Sequence, residues 1–165
     1  MSDRFQRITP FLWFTQEAEE AANFYVSVFD NSRIDAVTRY DNETANAVNR
    51  PPGSVMTVAF ELDGQAFTAL NGGPVFEFNP AVSLVVNCRT QDEVDHYWNT
   101  LSKGGDPSAQ QCGWLKDRFG VSWQVVPVQL IELLTSGDAA KAQRVMQAVM
   151  TMKKLELGTL QKAAA

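Results

Sequence analysis

The chain has 165 residues, of which 45% are hydrophobic and 20% are charged, and its formal net charge is −5 at pH 7. This apolar content is enough for a packed core and excludes a disordered chain, while the acidic balance argues against a nucleic-acid binder. No apolar run approaches the roughly 18–20 residues that span a bilayer, and no apolar signal segment follows the start. We therefore expect a cytoplasmic protein that does not bind membranes.

The first predicted elements are a strand over residues 10–14 and a helix after it. The helix is indicated by an apolar stripe at positions i, i+3, i+4 and i+7, made up of Ala21, Phe24, Tyr25 and Val28. Three strands are predicted next, over residues 34–40, 55–62 and 66–70, with Asp63 and Gly64 in the turn of a hairpin. The polar stretch 41–53 is interpreted as a surface loop.

The same order of elements recurs about 73 residues later in the chain. Residues 83–87 form the strand, Thr90 and Glu93 are spaced as a capping box, and the helix stripe contains Val94, Tyr97, Trp98 and Leu101. Strands are then predicted over residues 109–112, 113–116 and 121–126. We predict an α+β fold in one domain over residues 1–165, with βαβββ modules at 5–74 and 80–127.

The remaining residues, 128–165, form a helical tail in this interpretation. The tail contains five basic and three acidic side chains, so it is the basic part of an acidic chain. A short helix is predicted over residues 128–134, and Asp138 is placed to cap a longer one. The apolar stripe of the longer helix comprises Ala142, Val145, Met146, Val149 and Met152. We expect this stripe to pack either on the rest of the domain or on a partner subunit.

Several motifs carry a resemblance to a known family. They lie in residues 8–14, 24–25 and 70–74 and above all in residues 111–127, QCGWLKDRFGVSWQVVP, while residues 146–154 look similar as well. These modules resemble the vicinal oxygen chelate superfamily of glyoxalases, bleomycin resistance proteins and extradiol dioxygenases. The closer similarity is to its PhnB-like branch, which carries the label 3-demethylubiquinone-9 3-methyltransferase. The resemblance implies that each module curls into half of a cup, often with modules pairing across a homodimer.

In that superfamily a divalent metal is usually held by His, Glu or Gln side chains on the first and last strands of each module. The resemblance assigns these places to Pro10, Thr68, Ser83 and Gln124. Proline has no donor side chain and neutral hydroxyls are weak ligands, so we expect no metal site. His96, the one histidine, is predicted to be a partly exposed helix residue.

Without a metal, the cup would offer hydroxyls and an amide to an uncharged or anionic small molecule, unless these groups are satisfied within the core. Strand alternation puts Leu12 and Phe14 with Pro10, and Val85 and Asn87 with Ser83. Trp114 could stack on a flat ring, whereas Cys112, with no histidine beside it, is interpreted as structural. The candidate pocket residues are Pro10, Leu12, Phe14, Thr68, Ser83, Val85, Asn87, Cys112, Trp114 and Gln124.

Two neighbours of these candidates are interpreted as structural groups. Trp123 is expected to face the helix layer, since it alternates with Gln124. Asp117 is expected in a solvated turn, the alternative being that it orients a ligand together with Lys116. Cys88 and Cys112 make neither a disulfide framework nor a zinc cluster, so both are expected to stay reduced.

The functions left open belong to different classes, and no catalytic residue is assigned. One is a small-molecule binding protein that needs neither metal nor cofactor. Another is an enzyme: a methyltransferase acting on a quinone-like phenol with S-adenosylmethionine, as the family label implies, or a glyoxalase-like lyase or isomerase. A dimer without a ligand is a third. The expected partners are a small molecule and a second copy of the chain.

Overall fold

The computed structural model describes residues 5–165, and the chain divides into two compact units with the boundary after Phe78. The first unit contains β1 (Phe11–Phe14), α1 (Ala18–Val28), β2 (Arg33–Arg39), α2 (Asn42–Ala47), β3 (Val55–Leu62) and β4 (Gln65–Asn71). The second contains β5 (Leu84–Cys88), α3 (Gln91–Ser102), β6 (Trp114–Lys116), β7 (Ser122–Pro127), α4 (Val128–Leu134), α5 (Ala139–Met150) and α6 (Leu157–Ala164). The predicted α+β fold is confirmed. Among residues 5–165, none of the helices combines the length and the apolar character that a membrane-spanning helix requires.

The sheet of the first unit has the strand order β1-β4-β3-β2, with β1 parallel to β4 and the other pairs antiparallel. Helix α1 covers one face because its apolar positions recur at helical spacing and are buried together. Its Tyr25 ring lies 6.5 Å from Phe60, which stacks on Phe67 at 5.5 Å. These rings form the centre of the first core.

A buried asparagine, Asn71, ties α1 to the end of this sheet. Its Oδ1 accepts a hydrogen bond from the Ala18 N–H at 2.8 Å, and its Nδ2 donates to the Val55 carbonyl at 3.1 Å. The Tyr40 hydroxyl donates to the Asn71 carbonyl at 2.6 Å. One polar side chain thus pairs an otherwise unsatisfied N–H in the first turn of the helix.

The stretch interpreted as a surface loop contains a short helix, α2. The Asp41 carboxylate accepts a hydrogen bond from the Thr44 N–H at 2.7 Å and so caps the helix, and Ala45 is fully buried beneath it. The prediction of an irregular loop over residues 41–53 was therefore wrong for its first half. The second half, around Pro51 and Gly53, has no regular structure.

The sheet of the second unit has the order β5-β7-β6, with β5 parallel and β6 antiparallel to β7. Helix α3 buries Val94, Trp98 and Leu101. Its start has the predicted cap, since the Thr90 hydroxyl accepts a hydrogen bond from the Glu93 N–H at 3.2 Å.

The strand predicted over residues 109–112 is not formed. A 3₁₀ turn spans Pro107–Ala109, and Gln111 makes only an isolated bridge to Trp114. The physical reason lies in the tail, because the N–H groups of Cys112 and Gly113 donate to the carbonyls of Met152 and Lys153, both at 2.8 Å. The tail thus takes up the backbone donors that a third strand after α3 would have used.

The tail packs within the second unit. Its core consists of Val126, Leu130, Val145, Val149, Leu155 and Leu160. Helix α6, which was not predicted, supplies Leu160 to this core, and the Arg144 guanidinium donates to the carbonyls of Ala163 and Ala164 near the end of α6. Of the two alternatives for α5, packing within its own chain is the one observed.

An ion pair fastens the tail to α3. The Lys154 Nζ atom lies 2.6 Å from Asp95 Oδ1, which also accepts a hydrogen bond from the Gln91 side chain at 2.9 Å. The hydrogen bond from Lys154, followed by that from Gln91, lowers the pKa of Asp95 below its usual 3.8.

We expect Lys154→Met to make the protein less stable near neutral pH but to matter less in acid. Because the folded-state pKa of Asp95 is depressed, its stabilisation is present above pH 3.8 and is lost as the pH falls through the folded value. Urea unfolding across this range measures the difference, which exposure to solvent keeps small. Lys153→Met is the matched control, and an equal effect of both variants at every pH would contradict the assignment.

Candidate ligand-binding faces

Each sheet has one face packed against its helix and one face turned away from it. On the face of the first sheet that α1 does not cover, strand register places Phe11 beside Thr68 and Trp13 beside Leu70. We call these four residues the first open face. Phe11 is 58% exposed, and the other three are partly buried. This face is therefore mostly apolar, with one hydroxyl.

Leu12 and Phe14 were predicted to share the face of Pro10 and to form walls of the cup that contains Thr68, but they do not lie on the face of Thr68. In the parallel register Leu12 lies beside Ala69 and Phe14 beside Asn71, and both of those partners are buried on the helix side. Phe14 is itself buried and contacts Phe78 edge-on at 5.0 Å. Pro10 precedes β1, and its carbonyl accepts the Thr68 N–H at 3.0 Å.

The cause is a difference of one residue between the two modules. Three residues separate β1 from α1, whereas two separate β5 from α3. The buried helix positions therefore match at an offset of 73, as Tyr25 and Trp98 do, but the strands match at 74, as Phe11 and Val85 do. Since side chains alternate along a strand, a shift of one residue exchanges its two faces.

Four of the predicted residues come together in the second unit. Val85, Gln124 and Trp114 form a row across the three strands, and the Gln124 side-chain amide donates to the Ser83 hydroxyl at 3.0 Å. We call these four residues the second open face. Val85 is 48% exposed. Asn87, two positions beyond Val85 on β5, is exposed as well.

Neither cysteine has the surroundings of a reactive thiol. Cys112 packs against the core of the tail, where it accepts a hydrogen bond from Gln111 at 3.4 Å and lies 3.7 Å from the Met150 sulfur. It thus lies with the tail rather than with Gln124. Burial, followed by the charge of Glu93, raises the pKa of Cys88 to about 11, so this thiol is neutral at physiological pH.

Asp117, expected in a solvated turn, is only 2% exposed, and that interpretation was wrong. Its Oδ1 accepts hydrogen bonds from the N–H groups of Phe119 and Val121 at 2.9 and 3.0 Å, and its Oδ2 from the Trp123 indole at 2.8 Å. These bonds hold Trp123 on the helix side of β7. In the sequence, Asp117 and Gly120 are spaced as the first and fourth residues of a type I turn, and this spacing was the available indication of a turn at Asp117.

The side chains at the places that usually hold a metal do not fit one. Thr68 and Ser83 are neutral hydroxyls, and the Gln124 amide is hydrogen-bonded to Ser83, so no imidazole or carboxylate contributes. His96 is exposed and contacts the Tyr97 ring. Within residues 5–165, no three His, Cys, Asp or Glu side chains converge as a metal site.

Comparison with known proteins identifies the family. The model of the 3-demethylubiquinone-9 3-methyltransferase family matches residues 6–126. A PhnB protein from Bacillus cereus that carries this methyltransferase name is 39% identical, with 74% of this chain and 99% of that chain covered and a TM-score of 0.63. The structure of PA1353 from Pseudomonas aeruginosa, 21% identical with 74% and 98% covered and a TM-score of 0.57, shows the fold alone.

A search among curated proteins finds no match. The family match ends at Val126, so the similarity of residues 146–154 in the tail stays a prediction. Over the two modules, however, the match covers well over half of the chain. The chain therefore belongs to the 3-demethylubiquinone-9 3-methyltransferase family and is PhnB-like.

Proposed function

We propose that this protein binds a small organic molecule without a metal ion. The observation that carries the proposal is the hydrogen bond between Gln124 and Ser83, which joins two of the four side chains at the superfamily's metal positions. A neutral amide and a hydroxyl donate and accept hydrogen bonds, so they suit an oxygen-bearing organic ligand better than a divalent ion.

The two open faces differ in the chemistry that they offer such a ligand. The first presents aromatic surface from Phe11 and Trp13, which suits a flat apolar ring. The second presents hydrogen-bonding groups beside the Trp114 ring. Taken by itself, each face combines apolar surface with a few polar groups, as ligand-binding sites commonly do. A homodimer is part of the proposal, with light scattering after size-exclusion chromatography as its test.

A methyltransferase acting on a quinone-like phenol is the second candidate, because the matched family carries that description. The helix starts that follow the parallel strands do not favour the methyl donor. Helix N-termini often hold anionic groups, but the first turns of α1 and α3 already contain two acidic residues each. These residues would repel the carboxylate of S-adenosylmethionine. A lyase or isomerase of the glyoxalase kind would need metal ligands, which the hydroxyls do not provide.

We expect untagged protein, purified without added metal, to contain no stoichiometric Zn, Ni or Mn by mass spectrometry. In a thermal-shift screen of phenols and quinones, we then expect at least one compound to raise the melting temperature of the protein. A ligand that binds only the folded state stabilises that state. Stoichiometric metal would contradict the proposal. A stabilisation by S-adenosylmethionine that is lost in Gln124→Ala would favour the methyltransferase instead.

The Gln124→Ala variant tests the second open face directly. We expect it to weaken the binding of a phenol found in the screen by about tenfold, the value of one hydrogen bond made in a partly buried site. Gln110→Ala is the matched control, because that side chain lies in the turn before β6. Unchanged affinity in Gln124→Ala would show that the ligand binds elsewhere.

A further inference from the structure

A half-buried arginine, Arg50, lies at the end of the first sheet where β1 and β4 finish. Its backbone N–H donates to the Ala45 carbonyl at 2.8 Å, which fixes the residue just after α2. Its Cδ and Nη1 atoms lie 3.8 and 3.9 Å from the point that a Cβ on Gly73 would occupy. The side chain therefore lies against the loop that follows β4.

The Arg50 Nε atom is buried and has no hydrogen-bond partner among residues 5–165. The described carboxylates form no ion pair with Arg50 either. A guanidinium stays charged in proteins, and an unpaired buried donor of this kind lowers stability. The geometry thus leaves a cationic donor that an acceptor from outside the described chain would satisfy.

An aromatic pair lies against the same loop. The Trp13 indole donates to the Gly73 carbonyl at 3.0 Å, and the Phe76 ring meets Trp13 edge-on at 5.0 Å. The Trp13 ring fills the space above Gly72, where an added Cβ would come within 2.2 Å of it. Phe76 is 60% exposed, so this end of the sheet offers aromatic surface to a ligand.

We propose that Arg50 binds the carboxylate of a small aromatic acid whose ring packs on Trp13 and Phe76. The inference rests on the proposed small-molecule binding and adds the chemistry of the ligand. A carboxylate matches the guanidinium edge formed by Nε and one Nη atom, and it would pair the donor that the chain leaves unsatisfied. The Nε atom is buried while the residue as a whole is only half-buried, so the proposal includes a rotation about the last side-chain bonds that would turn this edge towards the ligand.

The test uses two probes of the same shape, 2-naphthoate and 2-naphthamide, and calorimetric titration of the full chain. We expect the acid to bind at least about tenfold more tightly than the amide, as a charge-assisted pair requires. Arg50→Gln should remove this preference and leave the amide unaffected, and Arg50→Lys should restore only part of it. Arg39→Gln is the matched control, since Arg39 is exposed in the same unit and donates to the Gly53 carbonyl.

A second readout follows the donor itself. The Arg50 Nε–H signal in a nitrogen-15 NMR spectrum, assigned by its loss in Arg50→Lys, should shift with the acid and not with the amide. Equal binding of both probes in all variants would overturn the role of Arg50 while leaving small-molecule binding intact. An unshifted Nε–H signal together with no binding of either probe would also overturn the role of Arg50. The proposed function itself is tested separately, by the metal and phenol measurements.

Discussion

Replacing Asp117 with alanine is expected to lower the free energy of unfolding by about 3–5 kcal/mol. The substitution removes the acceptor of three hydrogen bonds, from the N–H groups of Phe119 and Val121 and from the Trp123 indole. Each buried donor that loses its acceptor costs about 1–3 kcal/mol, and the carboxylate is almost completely enclosed. Chemical denaturation monitored by tryptophan fluorescence measures this loss.

Two asparagine variants provide a matched comparison for Asp117. In Asp117→Asn the new amide still accepts at one oxygen but turns a donor towards the Trp123 indole, so the expected loss is smaller, about 1–3 kcal/mol. Asp63→Asn makes the same chemical change in the exposed hairpin turn of the first unit, where the left-handed backbone, with φ of 47°, also accommodates asparagine. Equal effects of the two variants would contradict the structural role of the Asp117 carboxylate.

Gly105→Ala is expected to destabilise the protein by about 3 kcal/mol, the upper part of the usual range for overpacking. A Cβ at this position would lie 2.1 Å from the Lys116 carbonyl oxygen and 3.2 Å from the Asp117 carbonyl carbon. Both atoms belong to the backbone at the end of β6, so no side-chain rotation relieves the clash. The segment after α3 has to move away from the strand, which thermal and urea unfolding both report.

Gly158→Ala is the control for this prediction, because nothing lies within 4 Å of a Cβ added there in α6. Alanine favours the helix over glycine, so a gain of up to about 1 kcal/mol is expected. A loss of stability in Gly158→Ala similar to that in Gly105→Ala would show that the clash at Lys116 is not the cause.

Local patterns in the sequence predict much of this fold. The strand over residues 55–62 is observed as Val55–Leu62 and the helix over 128–134 as Val128–Leu134. The strand is followed by the turn residues Asp63 and Gly64, and the helix is preceded by Pro127. Such residues mark where regular structure begins and ends. The cap that Thr90 makes to the Glu93 N–H could also be predicted, because the two residues lie three positions apart in the chain. The second bond of the predicted capping box differs, since the Glu93 carboxylate accepts from the Arg89 N–H at 2.6 Å and not from that of Thr90.

The face of β1 could not be predicted in the same way. Alternation correctly groups Leu12 with Phe14, but which group meets the helix depends on the length of the connection to α1. One additional residue there exchanges the two groups, so Phe11 and Trp13 take the open side. The absence of the strand predicted over residues 109–112 also depends on distant residues, since the N–H groups of Cys112 and Gly113 pair with carbonyls about 40 positions later in the chain.

The sequence also could not predict that the Arg50 Nε–H donor is buried without a hydrogen-bond partner among residues 5–165. Arginine is usually exposed, and nothing in residues 41–53 indicates that its Nε atom is enclosed. The packing against Gly73 arises from the short helix α2 and the loop after β4, which are far apart in the chain. Such contacts depend on tertiary structure rather than on local spacing.

The hydrogen bonds from Cys112 and Gly113 to the tail also have a consequence for self-association. They cover backbone donors beside β6, which is an edge strand of its sheet. Uncovered donors at a sheet edge are templates on which a strand from another molecule can add. The tail thereby removes these two donors from the template at this edge, and a protein shortened before Met152 would present them to its neighbours.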